Sequence, residues 1–430
     1  MRKKWLAVML LLCVTSIASA QLTIEITQGN DSPTPIAIVP FSWGERDQLG
    51  VDIPAVISAD LYRSGVFSII DKKDMLSLPT KSDDVFYRDW RAIGSEYVLV
   101  GQMSKVDGEK SLQLNYELMD VQSQKIILTG KVSAKETELR GLAHAVSDDV
   151  YEKITGIAGA FATKILYVSA SQSAGQFVYR LMLSDADGYG ESIVFESDEP
   201  IMSPTWSPDA TQVAYVSFET KKAAIYRHTL ASGLRERLTD FPGINGAPNW
   251  SPDGTKMAMV LSKGSNPDIY IMDLTSKRLT RVASHFAIDT EPAWTSDGKA
   301  VVFTSDRGGK PQIYKVTLED GWVERLTFEG SYNARARMLP DDRGMIMVHR
   351  RKGQYHVALQ LFDTGRIYSL SKTSLDESPT IAPNGAMLMY ATQYAKKGIL
   401  AAVSIDGSVK YRLPSTSSDV REPAWSPFLD

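Results

Sequence analysis

PTWSPDATQVAYVS, from Pro204 to Ser217, is a phrase that this chain repeats. It returns as PNWSPDGTKMAMVL from Pro248 and as PAWTSDGKAVVFTS from Pro292. Worn copies follow as ARMLPDDRGMIMVH from Ala336 and PTIAPNGAMLMYAT from Pro379, and PAWSPFLD begins at Pro423. The residues at the Trp position are Trp206, Trp250, Trp294, Met338, Ile381 and Trp425, spaced by 44, 44, 44, 43 and 44 residues. Such a period is that of a four-stranded propeller blade, which runs to about 40–50 residues.

The third copy shows how one repeat becomes a blade. Pro292–Trp294 is a short apolar strand, and Ser296-Asp297-Gly298 is a turn. Asp supplies the side-chain bond of that turn and Gly its positive φ. Val301–Phe303 is the second strand, Gln312–Leu318 alternates as a third, and Glu324–Thr327 is a shorter fourth. The last copy has only a first strand. Conversely, KILYVSA from Lys164 reads as a second strand with no first before it, followed by FVYRLMLSD and ESIVFE. The two ends are complementary halves, so the C-terminal strand is expected beside Ile165–Ser169. Five whole blades and one composite blade make six, in a ring that leaves no long exposed edge. The repeated Trp, Asp and Gly are read as structure: Trp fills the gap between blades and Asp-Gly makes the turn.

Residues 21 to about 160 lack the repeat. PIAIVPF (Pro35–Phe41) is a buried-type strand, and Val51–Ser64 has helical spacing. GVFSIID (from Gly65) is a strand, Tyr87–Ile93 a short helix and EYVLVGQM (from Glu96) a strand. SLQLNYELMD and KIILTGKVSA form a hairpin around Gln122-Ser123, and Leu139–Ile154 is an amphipathic helix. The order βαβαβββα is that of a small α/β domain with a mixed sheet. The fold class is therefore an α/β N-terminal domain followed by an all-β six-bladed propeller of WD40-like repeats, closed by the C-terminal strand. The boundaries are a signal peptide over 1–20, a segment 21–34, the α/β domain 35–155, a linker 156–163 and the propeller 164–430.

The start of the chain carries an export signal: Arg2, Lys3 and Lys4, an apolar run from Trp5 to Val14, and Ala18-Ser19-Ala20. Cleavage is expected between Ala20 and Gln21. The run is too short to span a bilayer. Cys13, the single cysteine, lies in the leader, so disulfides and cysteine chemistry are excluded from the mature chain. The leader holds three basic and no acidic residues; without it 44 basic side chains face 51 acidic ones, a net charge of −7. That balance argues against nucleic acid as a partner.

No catalytic constellation emerges. Gly-x-Ser-x-Gly, phosphate-loop and dinucleotide-binding motifs are absent. His349 and His356 lack a third ligand at metal-site spacing, and DADG (Asp185–Gly188) lacks the remaining ligands of a calcium loop and reads as a hairpin turn. No catalytic, cofactor or metal residue is assigned, although inward carboxylates leave a divalent cation in the propeller channel open. The links between blades are irregular: SDEPIMSP, PGINGAP, HFAIDTEP, EGSYNARA, LDESP and SDVREP. They mix apolar residues (Ile201, Met202, Ile244, Phe286) with acids (Glu199, Asp289, Glu291, Asp376, Glu377) and are the expected binding surface for a protein. For Gln21–Thr34 two readings stand: a loosely ordered terminus or edge strand, or a segment that docks on a sheet edge.

Longer phrases carry a family resemblance: DLYRSGVFSIID at Asp60, TGIAGAFATKILYVS at Thr155, MSPTWSPD at Met202 and NGAPNWSPDG at Asn245. TEPAWTSDG at Thr290, DESPTIAPNG at Asp376 and REPAWSPFL at Arg421 continue it over essentially the whole chain. The chain resembles the TolB family, periplasmic propeller proteins of the Tol–Pal cell-envelope system. The resemblance implies a non-enzymatic interaction hub, monomeric, held at the outer membrane through the lipoprotein Pal and acting in envelope integrity and constriction at division. It implies that the loop face holds Pal, with Met202, Ile244, Asn245, Gly246, Ala247, Thr290, Glu291 and Glu377 as contacts, and that colicins use the same face. It implies that the N-terminal segment, with Leu22, Thr23, Ile24, Glu25 and Ile26, engages TolA. Many relatives carry His where this chain has Ile244. The competing reading is a propeller hydrolase or lyase on an envelope polymer, which needs clustered titratable groups at the axis or in a cleft.

Overall fold

A computed structural model describes residues 32–44, 49–106, 111–173, 175–264, 266–413 and 418–429. The cleavage site and the segment Leu22–Ile26 lie outside them.

The N-terminal domain contains β1 (Thr34–Ile38), β2 (Ser42–Trp43), α1 (Ile53–Arg63), β3 (Phe67–Ile69), α2 (Tyr87–Ala92), β4 (Tyr97–Lys105), β5 (Ser111–Asp120), β6 (Lys125–Lys135) and α3 (Leu139–Thr155). The sheet order is β3-β1-β4-β5-β6, with β1 parallel to both neighbours and β4 to β6 antiparallel. The expected order holds, with two-residue β2 added beside β4. β1 is apolar on both faces because both are covered. Ile36 and Ile38 pack with α1 and α3, while Ala37 and Val39 pack with Trp90 of α2. This is the pattern of a parallel strand buried on both sides. Asp52 caps α1 through Ala55 N at 3.1 Å, and Gly156, at φ 73°, ends α3 in the left-handed conformation.

Five four-stranded antiparallel sheets follow as blades 1 to 5, over residues 201–237, 245–283, 289–325, 333–369 and 377–412. The sixth sheet draws on both ends of the propeller: Asp419–Trp425 lies beside Lys164–Ser173, then Gln176–Asp185 and Ser192–Ser197. Asp419 stands opposite Ala170, and Trp425 opposite Ile165. Among the described residues no sheet closes on itself into a barrel. The repeated Trp side chains pack on the preceding blade: Trp250 against Ala214 and Ile225, Trp294 against Ala258 and Val260. Trp294 Nε1 also donates to Asn249 O at 3.1 Å, and Trp206 Nε1 to Ala424 O at 3.0 Å.

The linker is held rather than loose. Phe161 N and Ala162 N donate to the two Asp148 carboxylate oxygens at 2.6 and 3.0 Å, and Asn384 Nδ2 donates to Ala158 O at 2.9 Å. Burial pushes Asp148 up to about 6, although the two amides act the other way. The N-terminal domain thereby sits on the face of the Asp-Gly turns, and the opposite face stays open.

A charge network joins the two domains. His144 Nδ1 lies 2.7 Å from Asp60 Oδ2, and Ser147 Oγ donates to the same oxygen at 2.8 Å. The DADG turn belongs here. Asp185 pairs with Lys164 and, at 3.4 Å, with Arg140; Asp187 pairs with Arg140 and lies 3.6 Å from Arg63. Burial alone lowers His144, but Asp60 and Asp185 outweigh it and push it up to about 9. Burial raises Asp185, yet His144 and Lys164 bring it well below the usual carboxylate range. The ligand atoms of Asp60, His144 and Asp187 lie within 4.8 Å of one another. Arg63 and Arg140 already supply the positive charge a metal would bring there.

Candidate functional site: the open face and the channel

Each innermost strand carries a β-bulge at the same repeat position. The register shifts fall after Met202, Gly246, Thr290, Ala334, Glu377 and Arg421. The residue that follows, Ser203, Ala247, Glu291, Arg335, Ser378 or Glu422, has φ between 47° and 55°. Left-handed φ is uncommon for non-glycine residues, and each such residue costs about 1–3 kcal/mol. Six in a ring are a built feature. Each bulge turns one side chain inward, and together they line an axial channel of about 380 Å³.

This corrects one expectation. The stretches read as irregular links contain the starts of the innermost strands. Met202, Asn245, Gly246, Ala247, Thr290, Glu291 and Glu377 lie in strands, next to or within the bulges. The bulge breaks period-2 alternation, so the strand starts look irregular in sequence.

The channel is charged and cross-braced. Arg335 Nε lies 2.6 Å from Glu291 Oε1, and its Nη2 lies 3.6 Å from Glu422 Oε1. Arg335 N donates to Glu291 Oε2 at 2.9 Å, and Thr304 Oγ1 donates to the same oxygen at 3.0 Å. Glu422 accepts from Ser203 N, so Glu291 and Glu422 each hold the bulge amide of the next blade. Burial lowers Arg335, but Glu422 and Glu291 outweigh it and hold its pKa above the ordinary arginine value. Arg337, deeper in, is pushed down to about 10 by burial and by Arg335. Arg335 escaped sequence reading because the fourth copy has Ala336 where all five counterparts have Pro. The signal was the spacing: Arg335 stands 44 residues after Glu291.

Around the mouth the named residues divide. Met202 is 40% exposed and Ile244 47%. Phe286 (83%) and Ile288 are also exposed. Glu377 is exposed, while Gly246, Ala247, Thr290 and Glu291 are half-buried. Asn245 is 1% exposed. Its Nδ2 donates to Phe241 O at 2.7 Å and its Oδ1 accepts from Phe241 N at 3.2 Å. It positions the loop that presents Ile244 and offers no surface itself. Asn333 and Asp376 do the same in blades 4 and 5: Asn333 Nδ2 donates to Glu329 O at 2.9 Å, and Asp376 accepts from Thr392 Oγ1 at 2.7 Å. Polar residues in a loop-like stretch suggest surface, but buried polar groups in such links hold the backbone. His349 and His356 stand opposite each other in blade 4, and His349 Nδ1 is 2.8 Å from Asn333 Oδ1. Among the described residues they join no third ligand. No helix among these residues is long and apolar enough to cross a membrane.

With this geometry in hand, the chain matches two family models, the TolB amino-terminal domain over residues 22–127 and the TolB beta propeller domain over residues 151–429. A Tol-Pal system protein TolB of Pseudomonas aeruginosa is 51% identical over 428 residues, 99% of each chain. One from Pseudomonas fluorescens is 50% identical over 422 residues, 97% of each. The crystal structure of TolB from Acinetobacter baumannii is 42% identical, with a TM-score of 0.87 over 95% of this chain and all of that one.

Proposed function

Because the chain belongs to the TolB family and has a non-enzymatic part in the Tol–Pal envelope system, we propose that it is a periplasmic hub whose open propeller face holds Pal. The observation that carries the reading is the channel mouth. There a rigid ring of strained bulges presents exposed Met202, Ile244 and Phe286 on the face opposite the N-terminal domain. Strain that persists in a rigid scaffold marks a surface organised before its partner arrives. An apolar centre with charged residues around it suits a protein partner. Ala247, Thr290 and Glu291 form the inner contacts, Met202, Ile244 and Glu377 the outer ones, and Asn245 with Gly246 shapes the loop between. Colicins would compete for this surface. Leu22 to Ile26 would engage TolA, linking the outer membrane to the energised inner one during envelope constriction. The channel carboxylates Glu291 and Glu422 are offset by Arg335, so the reading needs no channel cation.

Calorimetric titration of the mature chain with the soluble domain of its cognate Pal tests the proposal. Saturable binding that Ala247→Trp with Thr290→Trp abolishes, in a variant that melts cooperatively, is the expected result. No binding by the wild type would overturn it. For the N-terminal segment, deletion of residues 21–33 is expected to abolish TolA binding and leave Pal binding in place; an unchanged TolA affinity would sink that assignment.

A further inference from the structure

The outer connections on the open face are of two kinds. In blades 1 to 3 the second and third strands are six residues long, and the second ends opposite the start of the innermost strand: Ser217 at Ile201, Leu261 at Asn245, Ser305 at Asp289. In blades 4 and 5 these strands have eight residues, and in the composite blade ten. They run past the innermost strand to tips at Arg351–Gln354, Tyr394–Lys397 and Ser173–Gln176. In blades 1 and 3 the corresponding connection is a loop, residues 218–223 and 306–311.

The hairpin tips of blades 4 and 5 are basic, on a chain whose net charge is negative. Arg350, Arg351, Lys352, Lys396 and Arg421 are exposed, and none makes an ion pair among the described residues. Arg350 lies over the Tyr355 ring at 5.5 Å. At both basic tips the chain accepts positive φ at a lysine, Lys352 at 51° and Lys396 at 67°, where Asn or Gly is preferred. Between the composite blade and blade 1 lies a groove of about 690 Å³. Val168, Phe177, Tyr179 and Met202 line it, with Arg421 and, from blade 5, Lys397. Its acids are engaged: Asp419 accepts from Gly398 N at 2.8 Å, and Glu422 faces Arg335 and Ser203.

We propose that the basic crest formed by the hairpin tips of blades 4 and 5, with the groove beside the composite blade, receives an acidic flank of the protein partner seated on the channel mouth, and so steers and orients that partner. The inference rests on the function proposed above and adds a second contact of defined chemistry. Charge complementarity identifies the occupant, since unpaired cations on an acidic protein select an acidic surface. A partner seated on the mouth would cover the exposed Met202, Ile244 and Phe286 while reaching these tips, which favours a protein over a bilayer.

The test compares association kinetics of the soluble Pal domain with the wild type and with the variant Arg351→Glu, Lys352→Glu, Lys396→Glu, at low and high ionic strength. All three positions are exposed tips, so the variant is expected to keep its melting temperature. The expected result is a drop of roughly tenfold or more in kon at low salt, a flattened salt dependence and a koff changed by less than about threefold. Equal kon and equal salt dependence in the two proteins would overturn this inference and leave the Pal assignment standing. No binding by the wild type would overturn both. If the variant loses binding to phosphatidylglycerol vesicles while its Pal kinetics are unchanged, the crest belongs to a membrane contact and the inference falls.

Discussion

Arg335 of blade 4 reaches back one repeat to Glu291 of blade 3, the residue in the same bulge position, with Nε 2.6 Å from Oε1. The same guanidinium faces Glu422 of the composite blade. One cation therefore ties together the inward side chains of three blades, and with Arg337, which also lines the channel, it balances the two carboxylates.

Arg335→Ala is expected to lower stability markedly, because it strands two inward carboxylates. Breaking a buried pair costs about 3–5 kcal/mol, and the effect here should fall toward the lower end since part of the Arg335 side chain meets water. Adding Glu291→Gln and Glu422→Gln should recover part of the loss. Denaturant unfolding of the single and combined variants checks this, and purely additive losses would contradict the shared role.

The interdomain network sets a pH dependence. His144 is raised from an ordinary value near 6.5 to about 9. A base whose folded pKa is raised contributes fully below its unfolded pKa, and that contribution is lost as pH rises through the folded one. Stability should therefore decline between about pH 6.5 and pH 9, by no more than about 3 kcal/mol at 1.36 kcal/mol per pKa unit. His144→Gln should remove that slope. Denaturant midpoints across this window measure it, and equal slopes in both proteins would refute it.

Gly159 lies directly against Asp148, so a Cβ there would overlap the Asp148 backbone. Gly159→Ala is expected to cost at least about 1–3 kcal/mol, the usual range for overpacking, because backbone rather than a flexible side chain must yield. The same shift would displace the carboxylate that holds Phe161 N and Ala162 N, so cleavage by protease at the linker should quicken. An unchanged melting temperature and cleavage rate would show that the linker repacks freely.

The last strand braces two neighbours. Trp425 Nε1 donates to Thr163 Oγ1 at 2.8 Å, and Trp425 N to Thr380 Oγ1 at 3.0 Å. Ending the chain at Val420 should abolish a single cooperative unfolding transition, and Trp425→Ala should cost about 3–5 kcal/mol. Calorimetric scans of both variants are the check, and a melting curve like that of the wild type would remove the composite blade from the account.

The repeat made the blade count and the strand order legible, because a propeller blade is a local unit whose turn and strand chemistry recur along the chain. The mixed α/β domain was legible for the same reason: helical and strand periods are properties of neighbouring residues. The candidate face was legible only in outline. Met202 and Ile244 are exposed where expected, but Asn245 is a buried brace, and Arg335, in the centre of the channel, passed unnoticed.

By itself the sequence determined the number of blades, their order and the composite sheet, through hydrophobic period and Asp-Gly turn chemistry. Only the tertiary structure decided which charges meet. Glu291 finds Arg335 across 44 residues, and Asp185 finds Arg140 across 45, because the ring and the domain joint bring them together. Pairing of that kind depends on distance in space and on the exclusion of water, neither of which is written in the order of residues.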